Sequence, residues 1–288
     1  MLTNLFETLA YAKLNLDFDH ELFSKEYDER ILPDSIAISN GIRAAELLKE
    51  LNTAWGMIPP EIYNTGDVWE QPGDASTMRY IKREHPCWQL TQLMEMDLTG
   101  ITDPLILETA KSGATSFRNE TLDKSYKFSI RPKYADLKIY KWIQDNLPFE
   151  RITGLHCVSI EPGGFAIIHR DSKGLYDDKS SAGVSKVFKN GYVVINLNIT
   201  SGGAPLYWSL DGKDAKQPYK ADDSVYITND YFFHGVPVVT SRRRQIRILG
   251  IPKPELWDLI DHTNKVDIGA EYQYVPNYSK WAKDPNNS

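Results

Sequence analysis

The chain has 288 residues, of which 41% are hydrophobic and 25% charged, with 33 Lys and Arg set against 39 Asp and Glu for a formal net charge of -6. That composition excludes disordered, collagen-like and coiled-coil chains, and the acidic balance disfavours a nucleic-acid partner because most of the surface repels phosphate. Membrane spanning is excluded as well, since no stretch of about 18 uncharged apolar residues occurs. Cys87 and Cys157 are the only cysteines and lack CxxC spacing, which argues against a disulfide framework or a zinc motif. The start of the chain carries no basic and apolar leader, so a cytoplasmic protein is expected.

The length fits one large core with appendages. Residues 41–51 (GIRAAELLKEL) and 135–147 (ADLKIYKWIQDNL) repeat apolar positions at helical spacing and are predicted as amphipathic helices. A further short helix is predicted at 105–112. The stretch 59–76, rich in turn formers and aromatic residues, reads as a connector or a pocket rim. From Arg151 onward the texture changes to short β-type runs, at 152–160, 165–169, 192–199, 205–210, 223–228 and 245–251. Such spacing predicts an antiparallel barrel or jelly roll rather than βαβ units. A helical segment at 255–262 and a polar tail end the chain. The expected organisation is therefore a largely helical region at 1–150 packed on a β core at 151–252, with a C-terminal helix and tail at 253–288.

The chemistry centres on Glu161-Pro162-Gly163-Gly164, a turn that delivers Phe165-Ala166-Ile167-Ile168-His169-Arg170-Asp171. In extended backbone, residues i and i+2 face the same side, so His169 and Asp171 can share a metal ion. Composition alone predicts roughly 0.8 His-x-Asp/Glu matches, so the pair gains meaning only from its company. A third ligand is available in His234, 65 positions further on. Two imidazoles and one carboxylate make the facial set that leaves three positions open on Fe(II). Arg244 follows His234 by ten residues, and its planar guanidinium suits bidentate binding of the distal carboxylate of 2-oxoglutarate.

From about Arg151 to Pro252 the sequence resembles the aspartyl/asparaginyl β-hydroxylase and L-proline cis-hydroxylase branch of the Fe(II)/2-oxoglutarate dioxygenases. The residues that carry the likeness are Pro162-Gly163, His169-Arg170-Asp171, the strand Val193-Val194-Ile195-Asn196-Leu197, His234 and Arg244. The resemblance implies a mainly β fold with helices (α+β), built on a double-stranded β-helix of the jelly-roll, cupin-like kind. It further implies His169, Asp171 and His234 as catalytic metal ligands and Arg244 as the co-substrate residue. Fe(II), 2-oxoglutarate and O2 would be the cofactors, succinate and CO2 the by-products, and an amino acid, free or within a peptide or protein, the hydroxylated substrate. An aspartate at 171 favours hydroxylation, since halogenases of related type put a small residue there.

Two features depart from that pattern. Val194 and Asn196 stand where the branch commonly carries an Arg and a His near the co-substrate, and Asn196 can supply a hydrogen bond in their place. The segment 172–190 is longer than expected, and its Gly, Ser, Lys and Asp content suits a lid that closes over the iron. His20, His85 and His262 have no such company and take no role, while His156 is expected to pack in its strand. The run Arg242-Arg243-Arg244 reads as a turn and a strand start rather than a nucleic-acid patch. Two alternatives keep the metal site without 2-oxoglutarate turnover: a cupin-like metal-binding or sensing protein, and a different metalloenzyme.

Overall fold

A computed structural model describes residues 9–38, 88–102, 127–162, 193–209, 219–228, 233–237 and 239–267, together with strand backbone at 41–43, 68–70, 78–81 and 166–169 and positions 104 and 107. The principal strands in chain order are β1 (Leu9–Leu14), β2 (Ile36–Ile38), β3 (Gly41–Arg43), β4 (Val68–Glu70), β5 (Met78–Ile81), β6 (Trp88–Gln92), β7 (Met94–Met96) and β8 (Phe128–Ile130). They continue with β9 (Phe149–Ile160), β10 (Ala166–His169), β11 (Val193–Asn198), β12 (Leu206–Ser209), β13 (Tyr219–Ala221), β14 (Val225–Thr228), β15 (Phe233–Val236), β16 (Arg243–Pro252) and β17 (Ile260–Asp267).

Two antiparallel sheets form the jelly roll. The larger runs β17-β1-β14-β11-β16-β9-β6-β2 and the smaller β10-β15-β12-β13, so the chain crosses repeatedly between sheets after β9. Alternation along the strands gives each face of the large sheet its own chemistry. Leu155 and Cys157 on β9, Ile195 and Leu197 on β11, Val225 and Ile227 on β14, and Ile246 and Ile248 on β16 all join the main apolar core. Residues that alternate with them, including His156, Asn196, Tyr226 and Gln245, form the opposite face and are buried too. That face looks toward the small sheet: Tyr11 of β1 stacks on Trp208 of β12 with ring centroids 6.2 Å apart.

Helices cover the apolar face. The first, α1 (His20–Glu26), is capped by Asp19, whose carboxylate accepts from the Leu22 amide at 2.9 Å, satisfying one of the amides left open at a helix start. It runs on into a π-helical turn, Tyr27–Ile31. The second, α2 (Lys138–Asn146), has no cap of its own. The Glu26 carboxylate instead receives the Lys138 and Ile139 amides, both at 2.8 Å, and its negative charge is favourable at that end of the helix dipole. Phe23, Tyr27, Ile31, Ile139 and Ile143 complete the core from these elements.

The β core matches the sequence expectation, but its flanks differ. Within 1–150 the described residues hold more strand than helix, and β1, β2 and β6 extend the large sheet itself. Residues 41–43, expected to open a helix, pair as β3 with Tyr80, Arg79 and Met78; residues 44–51 lie outside the described residues, as does nearly all of 105–112. At the C-terminal side, the helix expected over 255–262 is a short 3-10 turn, Pro254–Leu259, followed by β17 pairing with β1. In each case a distant strand offers hydrogen bonds that outweigh a local helical preference. The helix expected at 135–147 is present as α2. Among the described residues no helix is long and apolar enough to cross a membrane.

Gly250 on β16 sits where the pairing with β9 shifts register. A Cβ there would run into the carbonyl oxygen of Arg151, which is backbone and cannot rotate away. Gly250→Ala should therefore destabilise the fold by about 1–3 kcal/mol, the usual cost of overpacking, measured as a lower denaturation midpoint in urea with an unchanged slope.

Candidate active site

His169 is the last residue of β10, and its register partner across to β15 is His234. His234 in turn pairs with Trp208 on β12, so the two histidine positions and the tryptophan lie in one row across the small sheet. Between the Ala166–Val236 and His169–His234 pairs the register slips, marking a β-bulge beside the histidine row, a feature that recurs next to active sites. His234 is buried. Asp171 and the expected lid at 172–190 lie outside the described residues, and among the described residues no group of three potential ligands assembles.

The facing surface of the large sheet carries a buried polar network. Arg243, 3% exposed, donates from Nε to the Ala204 carbonyl at 2.9 Å and from Nη1 to Gln245 Oε1 at 2.9 Å. Gln245 donates from Nε2 to Tyr226 Oη at 2.9 Å and to Asn196 Oδ1 at 3.2 Å. Asn196 then donates to Thr228 Oγ1 at 2.7 Å, and the Tyr226 hydroxyl points to Asn198 Oδ1 at 3.5 Å. Among the described residues, the buried Arg243 Nη2 makes no hydrogen bond. Burial pulls this guanidinium below the ordinary arginine range, and the like charge of Arg247 adds to that, while the Tyr226 oxygen acts the other way. Among the described residues no carboxylate is paired with it. Burial also raises the Tyr226 phenol, outweighing the nearby arginines, so it is neutral at physiological pH.

Arg244, expected to hold a co-substrate carboxylate, instead gives its guanidinium to Asp28. Nε and Nη2 contact the two carboxylate oxygens at 2.8 and 2.5 Å, and Nη1 reaches Thr200 Oγ1 at 3.3 Å. Arg242 adds a bifurcated hydrogen bond from Nε to both carboxylate oxygens of Glu161 at 2.8 and 3.0 Å. This clamp lies on the side of β16 that carries Ile246 and Ile248, away from the small sheet. Asn196, the other expected co-substrate residue, is on the inner face, with its amide committed at both ends. The buried polar residues of this face that the sequence reading did not single out are Arg243 and Gln245. Their signal was present, because Ile246 and Ile248 are apolar core positions and alternation sends 243, 245 and 247 to the other face. His156 packs on β9 opposite Arg247, and His20 contacts the Ile199 carbonyl at 3.1 Å and Ser224 Oγ at 2.8 Å.

No protein-family description matches the sequence, nor does any curated protein. Solved structures do align along most of the chain. A prolyl hydroxylase from Trichoplax adhaerens, in complex with a hypoxia inducible factor oxygen degradation domain peptide fragment, is 10% identical, covering 83% of this chain and 91% of its own at a TM-score of 0.29. A 2OG-Fe(II) oxygenase family member from Burkholderia pseudomallei is 10% identical over 81% and 90%, at 0.31. A Pseudomonas putida prolyl-4-hydroxylase is 12% identical over 81% and 100%, at 0.27. Likeness this loose transfers neither substrate nor site residues.

The two neighbouring arginines should separate cleanly. If the co-substrate implied by the sequence resemblance binds on this face, Arg243→Ala is expected to weaken binding of a 2-oxo dicarboxylate by one to two powers of ten, the worth of about 1.5–3 kcal/mol for hydrogen bonds to a charged group. Arg244→Ala is expected to leave that affinity within a few-fold and to lower stability by about 1–2 kcal/mol, since its ion pair is partly exposed. Calorimetric titration and urea denaturation of both variants check this; the opposite assignment of losses would reverse the roles.

Proposed function

We propose that this chain is an Fe(II)- and 2-oxoglutarate-dependent oxygenase that hydroxylates an amino acid, free or within a peptide or protein. The observation that carries this reading is Arg243. A buried guanidinium whose Nη2 makes no hydrogen bond and which has no carboxylate partner among the described residues is costly to keep, and it belongs to the sheet that faces the His169–His234 row. An anion reaching between metal and guanidinium satisfies both, and 2-oxoglutarate has a 2-oxo acid at one end and a carboxylate at the other.

His169 and His234 supply two imidazoles and Asp171 the carboxylate, a donor set that fits Fe(II) and leaves three positions open. When bound, the iron supplies oxidative decarboxylation of 2-oxoglutarate by O2, with one oxygen atom passing to the substrate and the other to succinate. The chain's own residues do the rest. Arg243 receives the distal carboxylate through Nη2, taking the role first expected of Arg244. Gln245 holds that guanidinium and is itself fixed by Asn196, and the neutral Tyr226 phenol adds no competing charge. The stacked Tyr11 and Trp208 close the inner space beside His234 with apolar surface, which keeps water from the reacting centre.

His169→Ala, Asp171→Ala and His234→Ala should each reduce turnover by at least about a thousandfold and weaken metal binding, because loss of one ligand in three destroys the facial geometry. The assay is succinate release from protein reconstituted with Fe(II) without oxygen and then exposed to O2. A screen of amino acids and short peptides, read by mass spectrometry for the gain of one oxygen atom, finds the substrate. Wild-type turnover in any of the three variants at saturating iron would remove that residue from the metal site.

A further inference from the structure

We infer that Gln245 is a positioning and specificity-determining residue: its neutral carbonyl orients Arg243 while leaving the guanidinium charge unspent for the carboxylate of an incoming ligand. The inference rests on the reading of this site as a 2-oxoglutarate site.

The Gln245 amide has no freedom to turn over. Its Nε2 donates to both Tyr226 Oη and Asn196 Oδ1, so Oε1 must face Arg243 Nη1. Asn196 is fixed in the same sense, because its own Nδ2 donates to Thr228 Oγ1 and its Oδ1 is therefore the end left to accept from Gln245. All these groups are buried. Arg243 is thus held at two of its donor atoms by neutral oxygens, those of Ala204 and Gln245, while among the described residues Nη2 has no hydrogen bond. The guanidinium is steered without being neutralised.

The contrast with Arg244 one residue away makes the point. There a carboxylate, Asp28, takes the fork of the guanidinium through Nε and Nη2, and an ion pair so formed has little attraction left for another anion. Glutamine and glutamate have nearly the same shape, so a single exchange of amide for carboxylate at 245 would convert the inner arginine into the same self-satisfied state. A structural role for Gln245 needs only hydrogen bonding. A charge-sparing role needs the side chain to be neutral, and it makes a different prediction for the two substitutions.

The test uses full-length wild type, Gln245→Glu and Gln245→Met, each held without oxygen with Mn(II) in place of Fe(II). Calorimetric titration compares 2-oxoglutarate with 2-oxobutyrate, which has the 2-oxo acid but no distal carboxylate. Gln245→Glu is expected to bind 2-oxoglutarate at least about tenfold more weakly than wild type, with 2-oxobutyrate changed by less than about threefold, so the preference for the dicarboxylate collapses. Gln245→Met is expected to lose a few-fold for 2-oxoglutarate and to retain most of that preference, because the charge is still available though less well oriented. A Gln245→Glu variant with wild-type affinity overturns the inference alone, as does an equal loss for both ligands, which would mark general damage. If Gln245→Glu does not fold, the methionine variant decides: unchanged 2-oxoglutarate affinity overturns the orienting role, and a selective few-fold loss sustains it. Wild type that binds neither acid overturns the functional reading, and the inference with it.

Discussion

A buried arginine with no carboxylate partner among the described residues sets the terms for the inner face of this protein. Such a charge is costly unless it is hydrogen-bonded and paired with an opposite charge. Arg243 meets the first condition through Ala204 and Gln245, and the buried amides and hydroxyls behind it are fully engaged in a line that ends at Thr228 and Asn198. Polar side chains inside a jelly roll are otherwise a liability. Here they are organised around one cation, and the histidine row stands on the sheet opposite.

Keeping Arg243 on that face depends on the register of β16, because a slip of one residue exchanges every inward and outward side chain. Two devices hold it. Ile246 and Ile248 are fully buried in the apolar core on the helical side, so a slip would bring Arg247 into that core. At the strand's start, Asp28 clamps Arg244, Thr200 accepts the Arg244 amide at 3.0 Å, and Glu161 grips Arg242. Asp28 projects from the π-helical turn Tyr27–Ile31, and turns of that kind are frequent where a helix serves a functional site. Arg242 and Arg244 thus act from outside to keep Arg243 inside.

Much of the β core was legible because strands such as those at 152–160 and 192–199 are flanked by turn formers and rich in β-branched residues. Its flanks were not. Residues 41–43 and 260–267 owe their strand form to partners far along the chain, and no local pattern announces a partner. β15 escaped notice for a related reason: Phe233-His234-Gly235-Val236 is too short and too mixed to read as a strand, yet the row of backbone hydrogen bonds with β10 and β12 makes it one. The proposed choice of Arg243 over Arg244 rests on parity. Counting ten residues from His234 selects Arg244, whereas the alternation of Ile246 and Ile248 points to Arg243, and the ion pair with Asp28 is a contact across 216 residues that sequence spacing cannot reveal.

The most direct measurement is a crystal structure of the protein grown without oxygen in the presence of Mn(II) and 2-oxoglutarate. The expected density places the metal on His169, Asp171 and His234, with the 2-oxo acid end of the co-substrate on the metal and its distal carboxylate against Nη2 of Arg243, leaving the Arg244–Asp28 pair undisturbed. A metal bound elsewhere, or a co-substrate carboxylate held by Arg244 with Asp28 displaced, would contradict the proposed site.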